Sequence, residues 1–518
     1  MAIAFCRNDH ALLTPNEMTA ADRAAIASGA SGVRLMEAAG TSVANEVRKR
    51  WPLRPVIVLC GPGSNGGDGF VAAFHLRAAG WPVRLALLCS PAALSGSAAH
   101  HAALWQGPIE AFSVDAVDGA DIAVDAIFGA GLSRPVDGIV GEVIEGLKRR
   151  RTRVCAVDVP TGLDGATGEV RGAATAAEIT VTFFRKKPGH LLFPGRALCG
   201  DVILADIGIP TSVLDTVAPK TFENHPYVWL DHYPWPQLQG HKFQRGHAVV
   251  LGGKSITGAS RLTACSALRI GAGLVTLAAP TSVWAVYATA LTGVMTHAIA
   301  DADGFVDLLT DKRCNAIAIG PGAGIGVDTR RCVLAALSTK RAVVLDADAI
   351  TTFAAEPGQL FNAIGGPCVV TPHEGEFSRL FDISGDKLTR ARKAAQSSRS
   401  VVVLKGSDTV IAEPGGVAII NANAPPDLAS GGSGDVLTGI ILGLLAQGLD
   451  PFRAAAAAVW LHGEAAAAFG PGLMATDLPD LLPTVLQHLK SMIPSDGGRL
   501  ACDGAEEAEK SAHMVGIA

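Results

Sequence analysis

The chain of 518 residues is poor in several things, and each shortage narrows what it can do. It lacks a surplus of charge: a formal net charge of -5 leaves no electrostatic footprint for nucleic acid. Its ten cysteines are scattered without a single CxxC pair, as expected of reduced, mostly buried thiols in a cytosolic protein. Met1 to His10 lacks the apolar core of a signal peptide. The most tempting apolar run, Val436 to Leu449, is too short to span a bilayer and holds Gly and Gln. No internal repeat is evident, and the glycine loops of the second half contain no GxxxxGK[ST]. The expectation is a soluble, cytoplasmic protein with neither a nucleic-acid nor a membrane partner.

What is present is apolar content of 49% and 59 glycines, against only 3 tyrosines. Glycines between apolar, β-branched runs suit an α/β protein with many strand-to-helix turns. Short apolar strands are expected at Val56–Cys60, Val83–Leu88, Ile122–Ala126, Val154–Val157, Ile179–Phe183 and Val202–Leu204. Helices are expected over the first forty residues, at Gly69–Ala79 and at Ile139–Arg150. Strands without polar alternation imply parallel sheets buried on both faces. Val217 to Gln239 breaks the rhythm with four prolines and marks a domain boundary. Strands resume at Ala248–Leu251, Leu274–Ala278, Ala316–Ile319, Ala342–Leu345, Cys368–Thr371 and Val401–Leu404, followed by an alanine-rich helix at Pro451–Phe469. The domains are therefore expected at 1–225 and 226–500, with 501–518 a disordered acidic tail.

Polar groups cluster at strand ends, where open α/β sheets bind ligands. Gly61 to Gly69 follows the first strand with five glycines and reads as a backbone nest for a phosphate or dinucleotide. Asn65 and Asp68 are unusual for pyrophosphate binding and could orient a ligand or cation. Asp125 and Asp158 close two further strands; either alone could be a loop cap, the set less readily. Carboxylate, Asn and Thr oxygens together suit a hard cation.

In the second half, Gly252-Gly253, Gly320–Gly324, Asp346, Asp348, His373 and Lys405–Thr409 hold the corresponding positions. His373 alone reads as a satisfied surface histidine, whereas the charge of Lys405 suits a nucleotide phosphate. Ala429 to Gly439 is a glycine loop opening a buried helix, with Asp435 at the helix start. Helix N-termini attract phosphate, and a carboxylate there is placed to take a proton from an attacking hydroxyl. The plain alternative for Asp435 is a helix cap.

With these residues in order, the chain resembles the bifunctional NAD(P)H-hydrate repair enzymes, which fuse an NAD(P)H-hydrate epimerase to an ADP-dependent NAD(P)H-hydrate dehydratase. The resemblance runs from about Leu13 to about residue 490. It rests on Leu35–Gly40, Gly61–Gly69, Val124–Gly131, Asp158–Asp164, Gly271–Val275, Gly320–Gly322, Leu345–Ala349, Thr371–Glu376, Lys405-Gly406 and Gly431–Gly439. It implies a Rossmann-like three-layer domain followed by a ribokinase-like α/β domain. Hydrated NADH or NADPH is the implied substrate. The R and S hydrates are interconverted by the first domain. The second removes water from the S form and converts ADP to AMP and phosphate.

Carried over by residue, the epimerase contacts are Ser64, Asn65, Gly66, Gly67, Asp68, Gly129, Ala130, Gly131, Leu132, Ser133, Arg134, Pro135 and Asp158. Asp158 would serve as acid/base and Asn65, Asp125 and Thr161 as potassium ligands. The resemblance gives the nucleotide Lys405, Gly406, Ser407, Asp408, Thr409 and Gly434. The hydrate would meet Ala259, Gly322, His373 and Asp435, with Asp435 as the base. Mg2+ is expected with ADP, and a homo-oligomer is expected. Ser64, Ala130 and Thr161 depart from the residues usual in the family; Thr161 keeps its oxygen, whereas Ala130 has no hydroxyl for the substrate. The rival reading is a ribokinase-like kinase of a small alcohol fused to a non-catalytic Rossmann-like binding module.

Overall fold

A computed structural model describes residues 8–132 and 134–493. In chain order the strands are β1 (Val56–Cys60), β2 (Val83–Leu87), β3 (Glu110–Ala111), β4 (Ile122–Ala126), β5 (Arg153–Val157), β6 (Ile179–Phe183), β7 (Asp201–Ala205) and β8 (Thr221–Glu223). Then follow β9 (His247–Leu251), β10 (Leu274–Pro280), β11 (Met295–Ile299), β12 (Ala316–Ile319), β13 (Ala342–Leu345), β14 (Cys368–Val370), β15 (Val401–Leu404), β16 (Val410–Ala412) and β17 (Ala418–Ile420). Two compact units result, Ala11–Glu223 with Thr371–Ala422, and Asn224–Val370 with the chain from Asn423 onward.

In the first unit a seven-stranded parallel sheet runs β3-β2-β1-β4-β5-β6-β7. Every residue of β1 is buried, because its alternating side chains enter two cores. Val56, Val58 and Cys60 pack with Val43, Val47 and Phe70, whereas Ile57 and Leu59 pack with Val140, Val143 and Ile144. Helices Gly32–Arg50 and Ser64–Ala78 supply the first set, and helix Gly138–Arg150 the second. The strand order reverses between β1 and β4, which is where a doubly wound sheet opens a crevice for ligand. This unit also carries a small ribbon: β15, β16 and β17 pair antiparallel, and β8 adds parallel to β17. The proline-rich stretch thus contains a strand that its local sequence did not suggest.

The second unit repeats the arrangement with a parallel sheet in the order β11-β10-β9-β12-β13-β14. Helix Ser433–Ala446 is buried at every position from Val436 to Ala446, as an apolar helix inside a core must be. It lies against helix Thr257–Arg269 so closely that a Cβ on Gly439 would sit 2.2 Å from the Thr263 carbonyl oxygen. Helix Pro451–Phe469 begins where expected, with Asp450 accepting the Arg453 N–H as N-cap. Parallel sheets with flanking helices in both units agree with the expected α/β class. No described helix is long and apolar enough to cross a membrane. The expected tail at 501–518 lies outside the described residues.

One boundary moves with consequence. The helix expected from Gly69 begins at Ser64, so Ser64 to Asp68 form its first turns and not a free loop. The glycines are there for steric fit: a Cβ on Gly66 would meet the Gly61 carbonyl oxygen at 1.9 Å, and one on Gly67 would meet Met36 Sδ at 2.5 Å. Gly61, Gly63 and Gly66 fall in the spacing GxGxxG, although Asn65 and Asp68 within and after it are unusual for pyrophosphate binding.

Candidate active sites

The switch point of the first unit gathers most of the residues expected for one site. Asp158 follows β5 in a left-handed conformation, φ 67°, which costs a non-glycine residue on the order of 1 kcal/mol. Its N–H donates to Val181 of β6 (2.8 Å), which fixes the turn. One carboxylate oxygen, Oδ2, accepts the Ala130 N–H at 2.8 Å. The other, Oδ1, lies 2.6 Å from Lys187 Nζ and accepts the Thr182 hydroxyl at 3.2 Å. Ala130 therefore serves through its backbone, and its missing hydroxyl leaves that contact intact. A Cβ on Gly129 would lie 2.9 Å from Asp158 Oδ2 and 3.0 Å from Asn65 Oδ1, so the loop passes directly over both.

Lys187 was not foreseen. Its side chain is 2% exposed and also donates to Thr182 Oγ1 at 2.8 Å. The backbone N–H of Lys187 donates to His190 Nδ1 at 2.9 Å, so the proton of a neutral imidazole sits on Nε2 and is given to the Asp158 carbonyl oxygen at 2.8 Å. Burial, and then the Lys187 charge, push the His190 pKa down to about 4, so the neutral form prevails. Lys187 lies four residues beyond the end of β6, in a run Arg185-Lys186-Lys187 that follows a buried strand; that cluster of cations was the available signal.

These surroundings separate the carboxyl groups. Burial raises Asp158, but the Lys187 ammonium, its hydrogen bond and the Ala130 N–H outweigh it and hold the carboxyl below the usual range. Asp68 is pushed well above that range by burial first and then by the charges of Asp158 and Asp22. Asp22, from helix Pro15–Ala27, is pushed up to about 6 by burial and by Asp158, against Lys187. Two carboxyl groups whose pKa values are pushed in opposite directions thus share one crevice, a pairing suited to taking a proton and giving one.

Asp125 is fully buried in β4. Oδ1 accepts the Thr161 hydroxyl at 2.6 Å, and Oδ2 accepts the Thr161 N–H at 2.8 Å. No Lys or Arg pairs with it among the described residues, and burial raises its pKa against the Thr161 hydrogen bonds. Asn65 Nδ2 is buried with no hydrogen-bond partner. A carboxylate with a neutral Thr oxygen, and no Lys or Arg paired to it among the described residues, is the kind of donor set that suits a hard cation. Of the remaining expected contacts, Ser64, Gly131, Arg134 and Pro135 are exposed and Leu132 is half-buried; Ser133 lies outside the described residues.

In the second unit the loops after β9 and β12 meet backbone to backbone. A Cβ on Gly253 would lie 1.5 Å from the Gly322 carbonyl oxygen, and one on Gly320 would lie 1.7 Å from that of Asp346. A cavity of about 330 Å³ opens here, lined by Gly252, Lys254, Ile256, Gly322, Asp301 and Asp348 among others. Gly322 is the expected hydrate residue that lines it; Ala259 and Asp435 do not. Asp435 is the third residue of helix Ser433–Ala446, whose N-cap is Gly432, φ 93°. Its carbonyl accepts the Thr263 hydroxyl at 3.0 Å, and Thr438 donates to the buried Asp346 carboxylate at 2.8 Å. Asp435 is therefore not the N-cap residue.

Of the remaining expected residues, Gly434 is the second residue of helix Ser433–Ala446, and the others belong to the first unit. His373 is itself a cap: Nδ1 accepts the N–H groups of Gly375 (3.0 Å) and Glu376 (3.2 Å) at the start of a short helix. The loop Lys405–Thr409 closes on itself through the Thr409 hydroxyl, which donates to the Gly406 carbonyl at 2.8 Å. Lys405 Nζ lies 3.8 Å from Glu376 Oε2. Asp408 is held by Lys387 at 2.5 Å.

Both halves find counterparts among known proteins. Residues 32–189 match the family described as YjeF-related protein N-terminus, and residues 248–488 match the NAD(P)H-hydrate dehydratase family. The bifunctional NAD(P)H-hydrate repair enzyme of Moorella thermoacetica is 36% identical, over 93% of this chain and 98% of that relative. That of Escherichia coli is 34% identical, over 87% of this chain and 89% of the relative. A solved ADP/ATP-dependent NAD(P)H-hydrate dehydratase from Bacillus subtilis, co-crystallized with ATP and Mg2+, is 31% identical with a TM-score of 0.44, covering 49% of this chain and 94% of its own. Identity at this level, sustained through both halves and along most of each relative, makes the chain a member of the bifunctional NAD(P)H-hydrate repair enzyme family.

Proposed function

We propose that this protein returns hydrated NADH and NADPH to use in two steps, with residues 1–225 acting as the epimerase and residues 226–500 as the dehydratase. The observation that carries the first assignment is the Asp158 carboxylate held at the crevice by Lys187 and the Ala130 N–H, with Asp68 beside it shifted the opposite way by burial. The hydrated carbon bears a hydroxyl and the ring nitrogen. Asp158 takes the hydroxyl proton, the carbon–nitrogen bond breaks to leave a carbonyl, and Asp68 protonates the departing nitrogen. Rotation and reclosure, with both protons returned, give the other epimer. Gly129 and Ala130 hold the hydrate against Asp158, and the loop to Pro135 covers it. Asn65, Asp125 and Thr161 would hold potassium, which supplies fixed positive charge beside the substrate.

In the dehydratase half, Asp435 takes the proton of the S-hydrate hydroxyl as that oxygen attacks the terminal phosphorus of ADP, releasing AMP. The phosphate then leaves from carbon, and loss of a proton from the adjacent carbon restores the ring double bond. Ala259, Gly322, His373 and Asp435 are the proposed hydrate contacts. Lys405, Gly406, Ser407, Asp408, Thr409 and Gly434 are the proposed nucleotide contacts. Mg2+, when bound with the nucleotide, would offset phosphate charge. Assembly as a homo-oligomer and residence in the cytoplasm belong to the same proposal.

The test is recovery of NADH absorbance from R and S hydrates, with or without ADP, in potassium or a bulky organic cation. The proposal expects ADP-dependent recovery from both epimers with release of phosphate, and slower recovery from R without potassium. Phosphate retained on a product, with no NADH restored, would leave the kinase reading instead.

A further inference from the structure

The segment that holds Asp158 also touches the loop proposed to hold the nucleotide. Lys187 and His190 grip Asp158 from one end of this segment. Three residues beyond His190, the Phe193 N–H donates to Asp408 Oδ2 at 2.9 Å. Arg196 then spreads its guanidinium over two backbone carbonyls, donating to Ser407 at 3.0 Å and to Ala422. The Arg196 guanidinium also lies 5.6 Å from the Phe193 ring centroid. Asp408 has one further partner, Lys387, and its side chain is only 10% exposed. A buried carboxylate with these two donors has little freedom to move. The loop Gly406–Thr409 is therefore fixed on one side by its own turn and on the other by residues 193–196.

We infer that Arg196 and the Phe193 N–H, contributed by the epimerase half, are positioning groups for the nucleotide loop of the dehydratase half. The inference rests on the proposal that Lys405–Thr409 binds ADP. The argument is geometric. A planar guanidinium can bridge two carbonyl oxygens because its N–H groups diverge in a fixed fork; an ammonium on a flexible stem serves one at a time. Ser407 and Ala422 bracket the β16–β17 hairpin, so one side chain sets both ends of the strand pair that follows the loop. The segment itself is anchored independently: the Gly195 N–H donates to the Gly168 carbonyl at 2.9 Å, and a Cβ on Gly195 would meet the Gly189 carbonyl oxygen at 2.3 Å. Removing the Arg196 side chain therefore frees the nucleotide loop without releasing Lys187 or Asp158.

The intact chain carrying Arg196→Ala, Arg196→Gln or Arg196→Lys would be assayed for S-hydrate dehydration over a range of ADP. Hydrogen exchange of residues 406–409 would be followed alongside, and epimerisation would report folding. The expected result is a KM for ADP raised about 10-fold in the Ala and Gln variants, with kcat within about 3-fold of wild type. Arg196→Lys should restore part of the affinity, exchange at 406–409 should be faster in the Ala and Gln variants, and epimerisation should be kept. Unchanged KM for ADP together with unchanged exchange would overturn the inference, as would loss of epimerisation in step with dehydration in all three variants. If the wild-type chain neither binds ADP nor dehydrates the hydrate, the nucleotide assignment itself fails, an outcome read on the wild type before any variant is compared.

Discussion

Gly61 and Gly253 each follow the first strand of a parallel sheet, and each meets the same steric demand. At Gly61 a Cβ would lie 1.8 Å from the Ile127 carbonyl oxygen beyond β4; at Gly253 it would lie 1.5 Å from that of Gly322 beyond β12. Both sheets reverse strand order at this place, so both need the same bare backbone. The chemistry around them differs. In the first unit the crevice holds Asp22, Asp68 and Asp158 about one buried lysine, and their pKa values are driven apart. In the second, Asp435 stands near the start of a helix beside Gly432 and Gly434. A doubly wound sheet supplies the crevice, and the residues after its strands set what chemistry that crevice can host.

The sharpest way to break this contrast is Asp435→Asn. The amide keeps the shape and loses the proton acceptor, so S-hydrate dehydration should fall by about 10²-fold or more. ADP binding by calorimetry and epimerisation should persist. Dehydration at the wild-type rate would return Asp435 to a merely local role at the helix start.

Lys187→Met addresses the other crevice. Breaking a buried pair by removing one partner costs about 3–5 kcal/mol. Asp158 would then be raised by burial with its main opposing charge gone. Epimerisation should fall by roughly 10-fold to 10²-fold, the range expected when a base loses its ionised state. The melting temperature should drop, and Lys187→Met with Asp158→Asn should recover much of it. A single variant with normal stability and rate would show that the pair tunes nothing.

A smaller effect follows from Asp68. Its folded-state pKa lies above the unfolded value, so the folded protein holds this proton more tightly. The stability it contributes is complete below the unfolded pKa and is lost as pH rises through the raised folded value. Epimerisation should decline over the upper part of the same window as the proton donor is lost. Denaturant titrations at a series of pH values should show a shallower decline in Asp68→Asn; an identical slope would remove Asp68 from this role.

Much of this was legible in the chain before folding. Strands such as β1, β4, β12 and β13 fall where apolar runs end in glycine or acid, because a strand buried on both faces has no polar alternation to confuse the reading. The acids at strand ends pointed to the crevice for the same reason. What escaped depends on distant partners. β8 forms inside a proline-rich stretch because Ala418–Ile420 offers it an edge. Lys187 matters because β6 lies beside β5, a neighbour relation that no local spacing carries. The Asp408 carboxylate is oriented by Lys387 and by the Phe193 N–H, a partner 215 residues away.

The account stands most directly on Asp158→Asn assayed with separate R and S hydrates, ADP and potassium. Under the proposal Asp158 serves epimerisation alone, so recovery of NADH from the S hydrate should proceed at the wild-type rate. Recovery from the R hydrate should slow by about 10²-fold or more, toward uncatalysed epimerisation. Equal rates from both epimers, or an equal loss on both, would contradict the assignment of two separate chemistries to the two halves of the chain.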